Sequence, residues 1–428
     1  MDYDEVLEWL FGLEARGIKF GLSNTRELLR RMGDPHLSFN SIHVGGTNGK
    51  GSVCAMISSV LRECGYRTGL YTSPHIRDFS ERIRVNGCPI PREEVIRLAG
   101  VLRDHAEQME REGNPLTFFE LTTVMAFCYF QEQGVEEAVV EVGMGGRLDS
   151  TNVLVPRCSV ITRIGVEHVE WLGSDIEQIA GEKAGIIKPG VPVITGAREG
   201  AEVIRRRAAE LGAPLEEVGD PKVLSSDLSG LVFKVGERRL TLPLIGTYQS
   251  ENGAIAYRCL MSLRDQGMRV EEGCLDRGFA GTSWPGRMEV LGTDPTVVLD
   301  VTHTADGAVR VARDLEELFG RYLLVLGVLN DKDLEGMAAT LGRLCRVAIA
   351  TEPRSKRAFP AERVAEALRS HCPCVEIATG VGEACERALS LAAPGEVVLV
   401  TGSLYTGGEA RRWWDERRGE NTGADKGE

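Results

Sequence analysis

"HVGGTNGKGSVCAMISSVLRECG", residues 43–65, packs four glycines into the seven positions 45–51, between an apolar strand-like run and an apolar helix-like run. Where a strand ends in glycines, bare backbone N–H groups can converge, and the positive end of the following helix dipole adds to their field. Phosphate is the ligand that such a loop favours. Lys50 would reach the terminal phosphates and Ser52 a magnesium ion, with the helix beginning near Ser52. The strict nucleotide-loop pattern G-x-x-x-x-G-K-[ST] is not met, because Gly51 separates Lys50 from Ser52. A glycine-rich turn that merely packs tightly against its neighbours is the competing reading.

Outward from this loop, strand-like runs alternate with helical ones: "SIHVGG", "YRTGLYTS", "FFELTTVMAFCYFQEQG", "EAVVEVG", "CSVITRIG", "IEQIAGEKAGI" and "VPVITG". Alternation of this kind calls for a parallel sheet covered by helices. A second series runs from "TVVLDV" near residue 296 to "EVVLVTGSL" and predicts a smaller doubly wound domain. Between them "LVFKVGERRLTLPLIG" reads as a hairpin, a helix is expected from about Gln249, and Gly, Pro and Thr concentrate in a hinge at 281–295. The expected architecture is α/β. A P-loop ATPase-like doubly wound domain spans 1–292 and a Rossmann-like domain 293–415, while 416–428, charged and without apolar partners, reads as a disordered tail.

The 428 residues are 43% hydrophobic and 26% charged, an ordinary globular composition long enough for two domains. A formal net charge of -13 argues against a nucleic-acid binder but leaves room for a local basic pocket. Nowhere do eighteen apolar residues run together, so no membrane span is expected. The eleven cysteines are scattered and odd in number, with no C-x-x-C pair, which fits reduced core thiols in a cytoplasmic protein better than a disulfide framework. A dinucleotide-binding dehydrogenase is disfavoured, because G-x-G-x-x-G is absent after the first strand and Lys50 with Ser52 suits a triphosphate.

The loop Gly46-Thr47-Asn48-Gly49-Lys50-Gly51-Ser52 resembles the ATP loop of the Mur ligase superfamily, within it that of folylpolyglutamate and dihydrofolate synthases. The resemblance continues through "GIKFGLSNTRELLRRMG", "LYTSPHIRDFSERIRVNG", "TFFELTT", "EVGMGGRLDSTN", "ITRIGVEHVEWLG", "IEQIAGEKAGIIKPGVPVITG", "WPGRMEVL" and "GSLYTGGEAR". It implies an ATP-dependent acid–amino-acid ligase that joins L-glutamate to the carboxylate of a pterin or folate through an acyl phosphate. Small-molecule substrates are expected as partners, with neither nucleic acid nor membrane, and the chain is expected to be a monomer.

The resemblance further implies particular roles. Gly46 to Ser52 would cradle ATP, with Asn252, Arg287 and Asp300 as further nucleotide contacts. Ser52, Ser73, Glu141 and His168 would serve two magnesium ions. Magnesium prefers oxygen, so His168 is the odd member on coordination chemistry. Lys183 would carry a carbamate on its amine and, with Lys50 and His303, belong to the catalytic group. His303 and Ser403 would lie on the amino-acid side, and pterin contacts are expected in the N-terminal segment and around "TFFELTT". Each residue also has a plainer reading: Glu141 in a salt bridge, His168 packed or solvated, Lys183 paired with Glu182 or Glu177, Asn252 as a cap, Arg287 as an exposed cation and Asp300 in a turn.

One stretch departs from the family pattern D-x-A-H-N-P: here Asp300-Val301-Thr302-His303-Thr304-Ala305 keeps Asp and His but not Asn and Pro. The departure leaves open a related Mur-type ligase with another carboxylate or amine as substrate. A non-catalytic nucleotide-binding regulator is the reading from a different class.

Overall fold

The computed structural model describes residues 2–17, 21–166, 173 and 175–424. The chain divides into two compact units. The first comprises Met1–Lys222, Phe233–Leu242 and Gln249–Thr282, and the second Val223–Val232, Pro243–Tyr248 and Ser283–Glu428. The second unit thus starts at Ser283, at the head of the predicted hinge and before the boundary expected at 293. It also recruits two short segments that sequence order alone assigns to the first.

In the first unit eight strands form one sheet: β1 (Asn40–Gly45), β2 (Thr68–Tyr71), β3 (Ile83–Val85), β4 (Cys88–Pro89), β5 (Glu137–Glu141), β6 (Cys158–Ile161), β7 (Val193–Thr195) and β8 (Leu215–Glu217). Their order is β4-β3-β2-β5-β1-β6-β7-β8. From β2 to β8 all neighbours are parallel, and β3 and β4 add an antiparallel edge. The central strands are buried throughout apart from Asn40. That explains why they read as continuous apolar runs rather than alternating ones. A core including Phe79, Phe127, Phe130 and Tyr71 fills one part of the unit, and a second including Ile161, Ile179 and Ile186 another.

The predicted hairpin is present as β10 (Gly230–Val235) and β11 (Arg238–Leu242), with a third strand, β9 (Lys222–Asp227), that the sequence pattern did not reveal. Strand β9 is almost wholly exposed, so burial imposes no apolar alternation on it. In the second unit β12 (Glu289–Thr293), β13 (Thr296–Leu299), β14 (Tyr322–Leu326), β15 (Cys345–Thr351), β16 (Val375–Ala378) and β17 (Val397–Thr401) lie in the order β12-β13-β17-β14-β15-β16. All pair in parallel except β12, which runs antiparallel to β13.

The last helix, Leu404–Ala424, runs on into the segment read from composition as a tail. Arg417 pairs with Glu386 and lies 5.5 Å from the Trp413 ring, contacts that a composition argument does not see. No helix among the described residues is long and apolar enough to cross a membrane.

The expectation of wholly reduced thiols is corrected at one place, where Cys64 and Cys274 form a disulfide with 5.2 Å between their Cα atoms. The partners lie 210 residues apart, which is why spacing hides them. They meet because the helix Glu272–Ala280 packs on Lys50–Glu63, where Ser59 Oγ donates to Gly278 O at 2.8 Å. The redox argument for a compartment loses its force accordingly. A cross-link closing so long a loop restricts the unfolded chain. Cys64→Ser is therefore expected to cost about 2–5 kcal/mol in denaturant titration, and dithiothreitol to lower the melting temperature of the native chain but not that of the variant. Equal melting temperatures for both in either redox state would refute a stabilising role.

Candidate functional site

Strand β1 ends at Gly45, and the chain turns into the helix Lys50–Glu63. The helix starts two residues before the expected Ser52, because Gly49 takes the N-cap position with a left-handed φ of 91°. Glycine brings no side chain to cap the first-turn amides, which leaves those donors for an anion. Two contacts set the loop's shape. Gly46 has φ 137°, and a Cβ there would lie 1.9 Å from Thr162 Oγ1; at Gly49 it would lie 2.2 Å from Asn252 Oδ1. The segment after β6 pins the loop from the side: Thr47 N donates to Arg163 O at 2.7 Å, and Thr47 Oγ1 exchanges bonds with Gly165. Arg163 in turn forms a two-pronged ion pair with Glu251, the neighbour of Asn252.

Lys50 is held over its own loop, donating to Thr47 O at 3.1 Å. Lys183 is 1% exposed at the end of the helix Ile176–Ala184 and donates to Gly46 O at 2.8 Å. Sheet register aligns Glu141, the last residue of β5, with Val44 on β1, and the Glu141 carboxylate accepts from Ser73 N at 3.0 Å. Burial pushes the Cys54 thiol well up, with the Glu141 carboxylate reinforcing the shift and Lys50 opposing it. Cys54 therefore feels both the expected metal carboxylate and the expected phosphate lysine. Gly46, Thr47, Asn48, Gly49, Lys50, Gly51, Ser52, Ser73, Glu141, Lys183 and Asn252 all belong to the first unit. His168 falls outside the described residues.

Among the described residues no three His, Cys, Asp or Glu side chains converge as a cage for a metal ion. Ser52, Ser73 and Glu141 offer two hydroxyls and one carboxylate, an all-oxygen set. Such a set fits magnesium, which keeps waters and shares a substrate's phosphate oxygens instead of demanding a full protein cage.

The first unit also holds an aromatic group. The Phe11 and Phe118 rings stack with centroids 5.5 Å apart, Phe79 meets Phe118 edge-on, and the Arg82 guanidinium lies 5.1 Å from the Phe118 centroid. Arg82 Nε donates to His75 Nδ1 at 2.8 Å, so this nitrogen carries no proton. Burial, with the Arg82 charge second, holds the His75 imidazole down at about 3.

Arg287, Asp300, His303 and Ser403 belong to the second unit. Asp300 is 1% exposed, and its carboxylate accepts from Met288 N at 2.9 Å and Thr302 N at 2.8 Å. Burial raises its pKa while Arg287 pulls the other way. His303 Nδ1 lies 3.1 Å from Val301 O and so donates to it. Ser403 stands before the helix Leu404–Ala424, where its Oγ accepts from Thr406 N at 3.0 Å. Thr406 Oγ1 donates to Gly327 O, which leaves the Ser403 hydroxyl to donate to Thr406 Oγ1.

The departure at 304–305 has a local explanation. Thr304 is the N-cap of the helix Ala305–Phe319, accepting from Gly307 N at 3.1 Å. The family's Asn-Pro would fill the same two places, since Asn caps as Thr does and Pro suits the first helical position. Thr304→Ala is expected to cost about 1 kcal/mol of stability in denaturant titration, and the double change Thr304→Asn, Ala305→Pro to leave stability nearly as it is. Unchanged stability in Thr304→Ala would remove Thr304 as the cap of this helix.

Thr162, Arg163 and Glu251 went unrecognised in the sequence. The pair that braces the loop is 88 residues apart, and nothing local marks it.

Residues 44–260 match the Mur ligase middle domain, and residues 286–404 the glutamate ligase domain of Mur ligases. The chain is 35% identical over 425 residues to the dihydrofolate synthase/folylpolyglutamate synthase of Bacillus subtilis, covering 94% of this chain and 97% of that one. It is 36% identical to a probable bifunctional folylpolyglutamate synthase/dihydropteroate synthase of Haloferax volcanii, of which it spans about half (51%) while 97% of this chain is covered. The fold superposes on Escherichia coli FolC in complex with DHPP and ADP with TM-score 0.85 and 32% identity, covering 96% of this chain and 98% of that one. It also matches a Yersinia pestis bifunctional folylpolyglutamate synthase/dihydrofolate synthase complexed with AMPPNP and Mn ion, with TM-score 0.82, 29% identity, and 96% and 98% coverage.

Proposed function

The chain belongs to the Mur ligase family, among its folylpolyglutamate and dihydrofolate synthases, and from that premise we propose that it joins L-glutamate to a pterin or folate carboxylate at the expense of ATP. The observation that carries the reading is the loop 46–52, with Gly46 and Gly49 closed down by Thr162 and Asn252 and Lys50, Lys183 and Glu141 gathered around it. The acceptor's carboxylate oxygen attacks the γ-phosphorus, the bond to the β-γ bridging oxygen breaks, and ADP leaves. Glutamate's amine then attacks the acyl phosphate, inorganic phosphate departs, and the amine proton is lost. The amides of the first helical turn and the Lys50 ammonium stabilise the oxygens of the transferring phosphoryl group. Ser52, Ser73 and Glu141 would hold magnesium, two ions in our reading, which supplies further positive charge to the same oxygens.

Lys183 is proposed to take up carbon dioxide on its amine, losing one proton, and to turn from a donor toward Gly46 O into an anion beside the metal. Its near-complete burial and its place against the backbone of Gly46 support the reading. NMR of protein equilibrated with isotope-labelled bicarbonate tests it: a carbamate signal is expected, absent in Lys183→Ala. The aromatic group of Phe11, Phe79 and Phe118 with Arg82 suits a flat heteroaromatic ring, which supports placing the pterin there.

The overall test measures phosphate release with ATP, magnesium, glutamate and either dihydropteroate or tetrahydrofolate. Release that needs both pterin and glutamate is expected. ATP uptake by folded protein without such release for either acceptor would overturn the proposed substrate class. Thr304 and Ala305 begin a helix as the family's Asn-Pro would, which supports this reading over a related ligase with another carboxylate or amine as substrate.

A further inference from the structure

We infer that His43, through Thr151, is the positioning residue for Asp149 and the turn 142–149, and so ties the strand that delivers the phosphate loop to the turn that follows Glu141. His43 lies on β1, two residues before Gly45, and is 0% exposed. Its Nε2 lies 2.8 Å from Thr151 Oγ1, and the Thr151 hydroxyl donates to Asp149 Oδ1. A hydroxyl has one proton, and here it is committed to the carboxylate, so the imidazole must donate. The proton therefore sits on Nε2, and Nδ1 carries a bare lone pair; indeed Nδ1 is buried with no partner among the described residues. Burial first and the Lys188 charge second hold this imidazole at about 3, in keeping with a neutral ring.

Asp149 spends its carboxylate on backbone: Oδ1 also accepts from Thr151 N at 3.0 Å and Oδ2 from Met144 N at 2.9 Å. The turn it closes touches two parts of the proposed site. The Phe119 ring packs against Gly143, and Arg147 N donates to Glu182 O at 2.8 Å, next to Lys183. A Thr151 hydroxyl without its imidazole partner could rotate away from Asp149, and the turn would lose the anchor that sets Gly143 and Arg147. Small displacements of positioning elements cost reaction rate far more than stability. A buried histidine with an orphaned nitrogen is an expensive way to fill space, which a leucine would do without the desolvation penalty.

The inference rests on the ligase reading for its kinetic arm only. His43→Leu and Thr151→Val remove the donor and the relay while keeping similar volume, and His43→Gln restores an N–H donor at similar reach. In the folded wild type, nitrogen NMR is expected to show His43 as the neutral Nε2–H tautomer down to pH 5. Hydrogen exchange at the Met144 amide should quicken about tenfold or more in Thr151→Val, and this arm stands whatever the substrate proves to be. In turnover assays His43→Leu should lose about tenfold in kcat/KM for the pterin acceptor, with KM for ATP within twofold, and His43→Gln should recover most of the loss. A charged or Nδ1–H imidazole, unchanged Met144 exchange, or a His43→Gln variant no better than His43→Leu would each overturn it. Should both His43 variants fail to fold, the Thr151→Val exchange result decides.

Discussion

Lys50→Ala is expected to lower the rate of acyl-phosphate formation by about a thousandfold while leaving the fold intact. The two halves of that expectation have separate causes. Among the described residues the Lys50 ammonium donates to Thr47 O at 3.1 Å, and Lys50 occupies the first position of a helix that alanine favours. Stability should therefore stay within about 0.5 kcal/mol. Rate depends on a charge that meets the γ-phosphoryl oxygens as negative charge redistributes over them, and the helix-end amides alone carry only partial charges. Lys50→Arg should not rescue, since a planar fork cannot replace a compact ammonium in a loop closed by Thr162 and Asn252. Phosphate-release kinetics beside thermal melts read both halves. Retention of a tenth or more of the native rate by Lys50→Ala would remove Lys50 from the chemistry, and a collapsed melting temperature would recast it as structural.

Gly46→Ala should be strongly damaging both to the fold and to the loop. At φ 137° an L-residue is strained before any contact is counted, and the new Cβ would stand 1.9 Å from Thr162 Oγ1 and 3.0 Å from Thr162 N. The hydroxyl could rotate, but the backbone nitrogen cannot, because Thr162 N donates to Gly45 O at 2.9 Å in the pairing of β1 with β6. Strain and overpacking together suggest a loss of about 3 kcal/mol. The loop must shift to relieve the clash, and Lys183 loses its acceptor at Gly46 O when it does. ATP affinity measured by calorimetry should consequently fall by more than stability alone predicts, at least about tenfold. Native-like affinity in a folded Gly46→Ala protein would show that the loop tolerates a different path. Gly49→Ala, whose Cβ would meet the movable Asn252 amide instead of backbone, is expected to be milder.

These two residues lie in a stretch whose local geometry was legible in the sequence. Four glycines with Lys and Ser between a strand and a helix are a local pattern, because an anion site made of backbone amides needs only consecutive residues. The parallel sheets were legible for a similar reason: strands buried on both faces are apolar throughout, and the helices between them keep their own period. Local rules also account for Thr304, whose change from the family's Asn keeps a hydroxyl or amide where a helix begins.

What only the tertiary structure decided lies between distant residues. Arg163 meets Glu251, Cys64 meets Cys274, and His43 reaches Asp149 through Thr151, and no spacing announces any of them. Such pairs follow from which strands lie side by side and which helices cross them. Sequence alone determined the layers and the glycine-rich turn between the first strand and its helix, because those depend on periodicity and on neighbouring residues. The braces that hold the loop, and the protonation of the histidine behind it, depend on sheet order and burial, which arise only when the whole chain has packed.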